Sequence, residues 1–354
     1  MKFRLLLILA VLFATPTIAR AEDMAGPYVY KTSVRINTQH YLVYYPTPTA
    51  KEPHYLTGSW APKLNFNVQG PLEGGSQISV VFTKPSGGVW LKKDLDTPEI
   101  DADTFQAFSL DGIDMEKQAI NVGGAFGISI LLSNALTGTK QTLYTGKFNV
   151  VKFHYGSAPN EVNQADFWVN HDWNLPIGQM GFDDDPSNAE APQLQVKMWF
   201  RGPLDGQNLA GYVYYNGKQI TSTKSAGDVG LPVTIEPGTT RPDLTYNRAQ
   251  FNFSGIAKGR FGDSANNYDA IWMLDKHPGN YEIKVLRNGK LSRSAKFTVG
   301  DDGTVVDNGL ATANKMGKGV MLIPVVTDLT QDTQASIANY KTLAFYGNAV
   351  TGFP

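Results

Sequence analysis

Two short stretches of this 354-residue sequence concentrate carboxylates that could bind a cation. Hard divalent cations such as Ca²⁺ take several oxygen ligands, which clustered Asp and Glu side chains supply. Neither stretch places glycine where the twelve-residue calcium loop needs it for its sharp turn, so solvated turn acids are the simpler interpretation. The candidate calcium ligands are Asp101 and Asp103 in "DLDTPEIDADTF" and Asp183 and Asp185 in "GFDDDPSNAE".

The sequence contains few of the motifs that are typical of acid-base or nucleophilic catalysis. Five histidines are present, and none belongs to an H-E-x-x-H or H-x-x-E-H zinc motif. His171 stands beside Asp172, which could orient an imidazole for proton transfer, yet neighbours on a strand point to opposite faces. The sequence holds no G-x-S-x-G nucleophile elbow. A glycosidase needs only two carboxylates from distant strands, so sequence spacing leaves that class open.

Aromatic side chains give the stronger indication of a binding function. The sequence has 6 tryptophans and 16 tyrosines, and exposed rings of this kind stack on sugars or fill protein pockets. Strand alternation predicts that most of them lie in a core, including Tyr212 and Tyr214. Trp199 lies on the strand face opposite Val196, and Trp173 lies in a Pro- and Asn-rich segment. We therefore predict Trp173 and Trp199 as exposed ligand-binding platforms.

The elements that carry these residues come in two copies. The phrase "APKLNFNVQGPLEG", residues 61–74, recurs as "APQLQVKMWFRGPLDG", residues 191–206. Alternating apolar residues predict a half-buried strand in both, and each strand runs into a Gly-Pro-Leu-acid-Gly turn. A second strand follows in each copy, "SQISVVFT" and "NLAGYVYY". We infer an internal duplication with units at 22–150 and 151–300, the second carrying an inserted loop or added hairpin at about 238–270.

The ends of the two copies also correspond. Residues 41–43 of the first copy match residues 167–169 of the second, and each copy closes with a hairpin. The closing pattern Gly-x-Tyr-x-Ile-x-Val, turn, Lys-Phe-x-Val resembles the last strands of bacterial immunoglobulin-like and fibronectin-type-III-like domains. This resemblance implies an all-β fold of two tandem β-sandwiches, without the cysteine pair of antibody domains. Because that architecture hosts many functions, it favours recognition or spacing roles without choosing a ligand.

The first 21 residues have the layout of a secretory signal peptide. Basic residues precede the apolar run of residues 5–14, and Ala-Arg-Ala forms a cleavage site before Glu22. The chain has no cysteine, so a disulfide framework, a lipid-attachment site and thiol chemistry are excluded. We expect a periplasmic or extracellular protein that is not a lipoprotein and has no transmembrane segment after cleavage. The formal net charge of −1 gives no electrostatic argument for nucleic acid.

Residues 301–354 differ in character and form a C-terminal appendage. Residues 319–326 are a candidate for a buried strand, and residues 330–344 repeat apolar positions at helical spacing. The simplest expectation is one amphipathic helix that packs back on the second unit. The alternatives are a partner-binding helix or a strand donated to a neighbouring subunit, which would give self-association through 301–354.

These features favour an exported, non-catalytic protein of the cell envelope, built as a tandem β-sandwich spacer or recognition module. Its expected partner is a protein or polysaccharide of the envelope. No cofactor is expected, apart from the calcium that the acidic clusters leave open. One alternative is a carbohydrate-binding or carbohydrate-active protein that uses exposed aromatics and carboxylates. The other is a subunit of an envelope filament or complex that docks through its tail.

Overall fold

The structure, a computed structural model, consists of β-strands joined by turns, and its described residues hold only short helices. The predicted all-β class is confirmed. In the same residues no helix is long and apolar enough to cross a membrane. The predicted signal peptide, residues 1–21, lies outside the described residues. The described residues are 26–46, 54–112, 114–154, 165–182, 193–204, 207–223, 227–235, 245–258, 271–307, 309–317, 321–332, 335, 340–350 and 353.

Nineteen strands run along the described part of the chain. In chain order they are β1 Tyr28–Val29, β2 Arg35–Pro46, β3 His54–Gln69, β4 Ser76–Thr83, β5 Val89–Leu95, β6 Phe105–Leu110, β7 Gly124–Asn134, β8 Lys140–His154, β9 Ala165–Val169, β10 Ile177–Phe182, β11 Gln193–Arg201, β12 Leu209–Tyr215, β13 Lys218–Ser222, β14 Gly227–Ile235, β15 Tyr246–Ala257, β16 Trp272–Met273, β17 Gly279–Arg287, β18 Lys290–Val299 and β19 Met321–Thr327.

Strands β1 to β9, here called the first unit, form two sheets around one core. One sheet has the order β1-β3-β2 with β6 also paired to β3, and the other has the order β5-β4-β7-β8-β9. Alternation along β3 buries Phe66 and leaves Asn65 exposed. Phe66 shares its core cluster with Val80 of the opposite sheet. Aromatic rings fill the centre of this core, where the Trp60 ring lies 4.9 Å from the Phe126 ring at close to a right angle.

Strands β10 to β19, here called the second unit, form one ten-stranded sheet whose two end regions approach each other. The order is β13-β12-β17-β18-β19-β10-β11-β15-β14, with β16 beside β15. Strand β19 joins the two halves because its first residues pair with β10 and its last residues pair with β18. Pro324, which has no N–H to donate, lies where β19 changes partner. At the ends, β13 contacts β15 and β12 contacts β14.

The two units repeat one strand arrangement. The order β5-β4-β7-β8-β9 corresponds to β13-β12-β17-β18-β19, and the neighbours β2-β3-β6 correspond to β10-β11-β15. The repeated phrases lie in β3 and β11, and both closing hairpins are formed. One expected correspondence is wrong, because residues 167–169 lie in β9 and pair with β8 of the first unit. The predicted insertion at 238–270 contains β15, a strand paired with both β11 and β14, rather than a loop throughout.

The C-terminal appendage packs against both units. Its predicted buried strand is present as β19, inside the sheet of the second unit. The described residues of the predicted long helix instead contain a turn at Leu329–Gln331 and a four-residue helix at Tyr340–Leu343. Tyr340 and Tyr346 belong to the core cluster of the first unit, so the expected packing on the second unit holds for Asp332 but is wrong for the end of this segment.

Backbone and side-chain hydrogen bonds hold the appendage on the first unit. The Tyr144 hydroxyl donates to the carbonyl oxygen of Phe345 at 2.9 Å. The Ile36 N–H donates to the Tyr346 hydroxyl oxygen, also at 2.9 Å. The apolar side chains of this segment are therefore used within the chain, and those buried in the first core cluster are Ala311, Met316, Leu322, Tyr340, Ala344, Phe345, Tyr346 and Val350.

Candidate functional site

The junction between the two units is lined by the face of β11 that turns away from the second core. Trp199 and Arg201 alternate with Met198 and Phe200, which point into that core. Trp199 and Arg201 are nevertheless only 2% and 3% exposed. The first unit covers them, since Trp199 clusters with Trp168 of β9. Trp199 does lie on the predicted face, but the prediction that it forms an exposed platform is wrong.

The second predicted platform, Trp173, is also buried. It lies in the turn Asp172–Asn174, directly after β9, and is 2% exposed. Its ring lies 5.2 Å from the Phe345 ring and 5.4 Å from the Tyr346 ring. The prediction of exposure is wrong here because the C-terminal appendage folds over this turn, and no local pattern around Trp173 indicates that cover.

A carboxylate at the centre of the junction binds residues of the second unit. Nη1 of Arg201 donates to both carboxylate oxygens of Asp172, at 3.0 and 3.1 Å. The Tyr246 hydroxyl donates to Asp172 Oδ1 at 2.7 Å. The Arg201 guanidinium also lies 5.1 Å from the centre of the Trp168 ring. A buried ion pair with this many partners is costly to break from one side, because it leaves a buried charge without compensation.

A second buried carboxylate, Asp332 of the appendage, anchors the other end of the junction. It accepts a short charged hydrogen bond from Arg293 and lies 3.7 Å from Nη1 of Arg287. The backbone N–H of Arg201 donates to it at 2.9 Å. Arg293 is completely buried, and its Nη2 also donates to the carbonyl oxygen of Trp199 at 2.9 Å. Burial lowers the pKa of Arg293, and the Asp332 charge opposes this shift.

His171, the residue most suited to proton transfer by type, is completely buried between the units. Its Nε2 lies 3.0 Å from the carbonyl oxygen of Ile36. Burial and, to a lesser extent, the Arg35 charge lower the pKa of His171 to about 3, against the opposing effect of the Ile36 carbonyl. His171 and the neighbouring Asp172 bond to different partners, so the two do not form an orienting pair. The arrangement joins structural elements and holds a neutral imidazole.

Sequence reasoning missed most residues of this junction. Arg201 and Asp172 are 29 residues apart, Tyr246 and Asp172 are 74 apart, and Arg293 and Asp332 are 39 apart. One signal was available, because Arg293 of β18 follows the apolar alternation of that strand, on the same face as Ala295, Phe297 and Val299. A charged residue in such a strand indicates a buried partner, but the partner's identity requires the tertiary structure.

An open groove lies on the outer face of the second unit, away from the junction. It has a volume of about 370 Å³ and is framed by the β12–β13 turn and by strands β17 and β18. Its lining offers amide, hydroxyl, carboxylate and ammonium groups beside aromatic rings, the mixture typical of a pocket that binds a polar ligand. The lining residues are Tyr214, Asn216, Gly217, Asn280, Tyr281, Glu282, Lys296, Phe297 and Thr298.

Tyr214 faces this groove, although its alternation predicted burial. Val213 is the residue of β12 that enters the core, at 0% exposure, so Tyr212 and Tyr214 lie on the outer face. Nζ of Lys284 lies 4.7 Å from the centre of the Tyr214 ring and 3.2 Å from Glu282 Oε2. Partly exposed aromatic rings of the kind predicted at Trp173 and Trp199 therefore lie on the outer face of β12 instead.

The acidic clusters remain apart from both places. Asp101 and Asp103 are exposed in the turn before β6. Asp183 and Asp185 lie outside the described residues. Across the residues that the structure describes, no three His, Asp or Glu side chains are grouped closely enough to hold a metal ion. The predicted calcium site at Asp101 and Asp103 therefore lacks a third carboxylate or imidazole ligand among those residues.

Comparison with known proteins gives no assignment for these features. No protein-family model matches the chain, and no curated protein is significantly similar to it in sequence.

Proposed function

We propose that this chain is an exported, non-catalytic protein of the cell envelope. In this proposal two immunoglobulin-like sandwiches form one rigid body that serves as a binding or structural module in the periplasm or on the cell surface. The observation that supports it most is the junction, where Asp172 binds Arg201 and Tyr246 and where the appendage adds Asp332. The residues best suited to acid-base chemistry are those that join the two units.

The junction also argues for a fixed angle between the units. Trp168, Trp199 and Tyr246 pack together there and are at most 5% exposed. Opening the junction would return their apolar surface to water, at about 1.5–3 kcal/mol for each large side chain. We therefore expect the units to move together, which suits a spacer or a scaffold that presents a surface at a set distance.

The export proposal is tested by expressing the full chain with its own N-terminus and fractionating the cells. We expect the protein in the periplasm or at the surface, with its first residue at Glu22 after cleavage. A variant in which charged residues replace the apolar centre of residues 5–14 is the matched control and should stay in the cytoplasm. Full-length protein confined to the cytoplasm in both cases would overturn this proposal.

Sugar binding is the second candidate function, and the groove at Tyr214 favours it. A half-buried tyrosine ring beside Asn280, Glu282 and Lys296 offers both a stacking surface and hydrogen-bonding groups for hydroxyls. Bacterial envelopes are rich in polysaccharide ligands of this chemistry. In this candidate function the groove is the recognition surface that the rigid body presents.

Retention on insoluble polysaccharides tests the groove directly. We expect Tyr214→Ala to abolish retention, whereas Tyr212→Ala, on the same face of β12 but not among the lining residues, should leave it unchanged. Equal retention of both variants would remove the groove from the proposal. Release of reducing ends during the assay would contradict the non-catalytic assignment.

A further inference from the structure

Three cations lie close together on one side of the junction, and no acidic side chain of the described residues pairs with them. Arg35 comes from β2 of the first unit, whereas Arg248 and Lys197 come from β15 and β11 of the second. The guanidinium carbon of Arg35 lies 5.5 Å from the centre of the Trp199 ring, and that of Arg248 lies 5.7 Å from it. The Trp199 indole therefore lies within cation–π range of two guanidinium groups from different units.

Strand register places the lysine beside them. Arg248 is directly opposite Trp199, and Lys197 precedes Trp199 by two residues on the same face of β11. Lys197 itself pairs with Gln250 of β15 and with Gln179 of β10. Diagonal neighbours on such a face are about 7–8 Å apart, close enough for long side chains to converge on one small ligand.

The other arginines of the junction each have an acidic partner, unlike Arg35 and Arg248 in the described part of the chain. Arg201 is matched by Asp172, and Arg287 and Arg293 are both matched by Asp332. Arg35 and Arg248 lie at the same junction, yet neither forms an ion pair within the described residues. Among the described residues, the Arg35 guanidinium donates one hydrogen bond, to the carbonyl oxygen of Val34 at 2.7 Å.

This cluster is electrostatically unfavourable as it stands. Burial lowers the pKa of Arg248 and the Arg35 charge lowers it further, while burial and the Arg248 charge lower the pKa of Lys197. Partly buried cations are normally paired, because desolvation of an unpaired charge is costly. Like charges are rarely held together in a folded protein without a counter-charge, and an anion is the species that would supply it.

We propose that Arg35, Arg248 and Lys197 form a binding site for a compact oxyanion, with Trp199 as its floor. The ligand is a phosphate, sulfate or carboxylate group, carried either by a free ion or by an acidic saccharide. Guanidinium groups bind such oxygens through paired N–H donors, and an ammonium adds a point charge. Gln179 and Gln250, which flank Lys197 in register, extend the site with neutral donors. Because the cations come from both units, the site exists only when the junction is closed.

The test is calorimetric titration of the full chain at low ionic strength, with inorganic phosphate, inorganic sulfate and polygalacturonate as separate probes. We expect at least one probe to bind, and Arg248→Gln and Lys197→Gln each to weaken that probe by about tenfold or more. Lys117→Gln, which removes an exposed cation of the first unit, is the matched control and should bind like the parent. Binding of an inorganic ion assigns the site to a free anion, and binding of polygalacturonate alone assigns it to an acidic polymer.

Thermal stability separates this site from a purely structural cluster. In buffer without oxyanions, Arg248→Gln should melt no lower than the parent, because it relieves repulsion from Arg35. Added ligand should raise the melting temperature of the parent only. A variant that melts lower by the same amount with and without ligand would show that Arg248 acts only by packing on Trp199. That result, or failure of all three probes to bind, would overturn the proposal.

Discussion

The residue that precedes the repeated Gly-Pro-Leu turn is Gln69 in the first unit and Arg201 in the second. Both side chains are almost fully buried. Gln69 accepts a hydrogen bond from Tyr30 and donates to the Ala102 carbonyl, both within its own unit. Arg201 instead binds Asp172 in the turn between the units. One position of the repeat therefore serves its own sheet in one copy and the junction in the other.

The same contrast holds one step further along the strand. Asn67 of the first unit corresponds to Trp199 of the second, counted back from the same turn. Asn67 lies at a partly exposed position, and Trp199 is covered by the first unit. The two copies thus keep the alternation that builds their cores and differ on the opposite face. The difference indicates that the second copy adapted this face to contact its neighbour.

The largest loss of stability is expected when Arg201 of the second copy is replaced by glutamine, the residue at the matching position of the first copy. Arg201→Gln leaves Asp172 buried without its cation, which should lower the free energy of unfolding by about 3–5 kcal/mol. Urea denaturation monitored by tryptophan fluorescence measures this. Asp172→Asn added to Arg201→Gln removes the uncompensated charge and should recover a large part of the loss. If the double variant is no more stable than the single one, the pair is not coupled.

A pH dependence of the unfolding free energy should arise at the junction. The pKa of His171 is lowered to about 3 from 6.5, so the unfolded chain takes up the proton first as pH falls. The stability that depends on a neutral His171 is therefore fully present above about pH 6.5. Between pH 6.5 and pH 3 the free energy of unfolding falls by about 1.4 kcal/mol per pH unit, a loss of about 3 kcal/mol by pH 4. Denaturation across this range should show a shallower slope in His171→Gln. Equal slopes in the parent and the variant would refute a neutral buried imidazole.

Removing one hydroxyl at the junction should have a smaller effect. Tyr246→Phe deletes the hydrogen bond to Asp172 and keeps the ring, so we expect a loss of about 2 kcal/mol. Tyr30→Phe is the matched control in the first unit, where the hydroxyl donates to the neutral Gln69. Because hydrogen bonds to charged groups are the stronger class, its loss should be about 1 kcal/mol. A larger loss of unfolding free energy for Tyr30→Phe than for Tyr246→Phe would show that the hydrogen bond to Asp172 is not the stronger of the two.

The smallest effect is expected where the appendage meets the first unit. Tyr346→Phe leaves the Ile36 N–H without its acceptor, which should cost about 1 kcal/mol in unfolding free energy. Amide hydrogen exchange at Ile36 measures the loss locally. Unchanged protection of that amide would show that another group replaces the hydroxyl.

Periodicity was sufficient to predict the strands but not what covers them. The alternation of Leu64 and Phe66 predicted β3, and the repeat predicted β11 at the matching place. The same alternation placed Trp199 on the outer face correctly. The exposure predicted for it was wrong, because exposure depends on the neighbouring unit. Trp173 failed for a similar reason, since its cover is Phe345, 172 positions later in the chain.

The candidate site was less predictable than the fold. Arg248 and Arg35 are separated by most of the chain, and only strand register shows that Arg248 lies opposite Trp199. The outward direction of Tyr214 depends on which residue of β12 enters the core. The sequence allows either phase there, because Val213 lies between two tyrosines that could also be buried. The choice is made by packing against Ile283 of β17.

The C-terminal appendage has a consequence for the order in which the chain folds. Residues 340–350 supply side chains to the core of the first unit, which otherwise consists of strands made much earlier. A ribosome therefore completes the whole second unit before the earlier unit can close its interior. The first unit therefore gains the core side chains of residues 340–350 only after the second unit has been synthesised, so its interior is completed late.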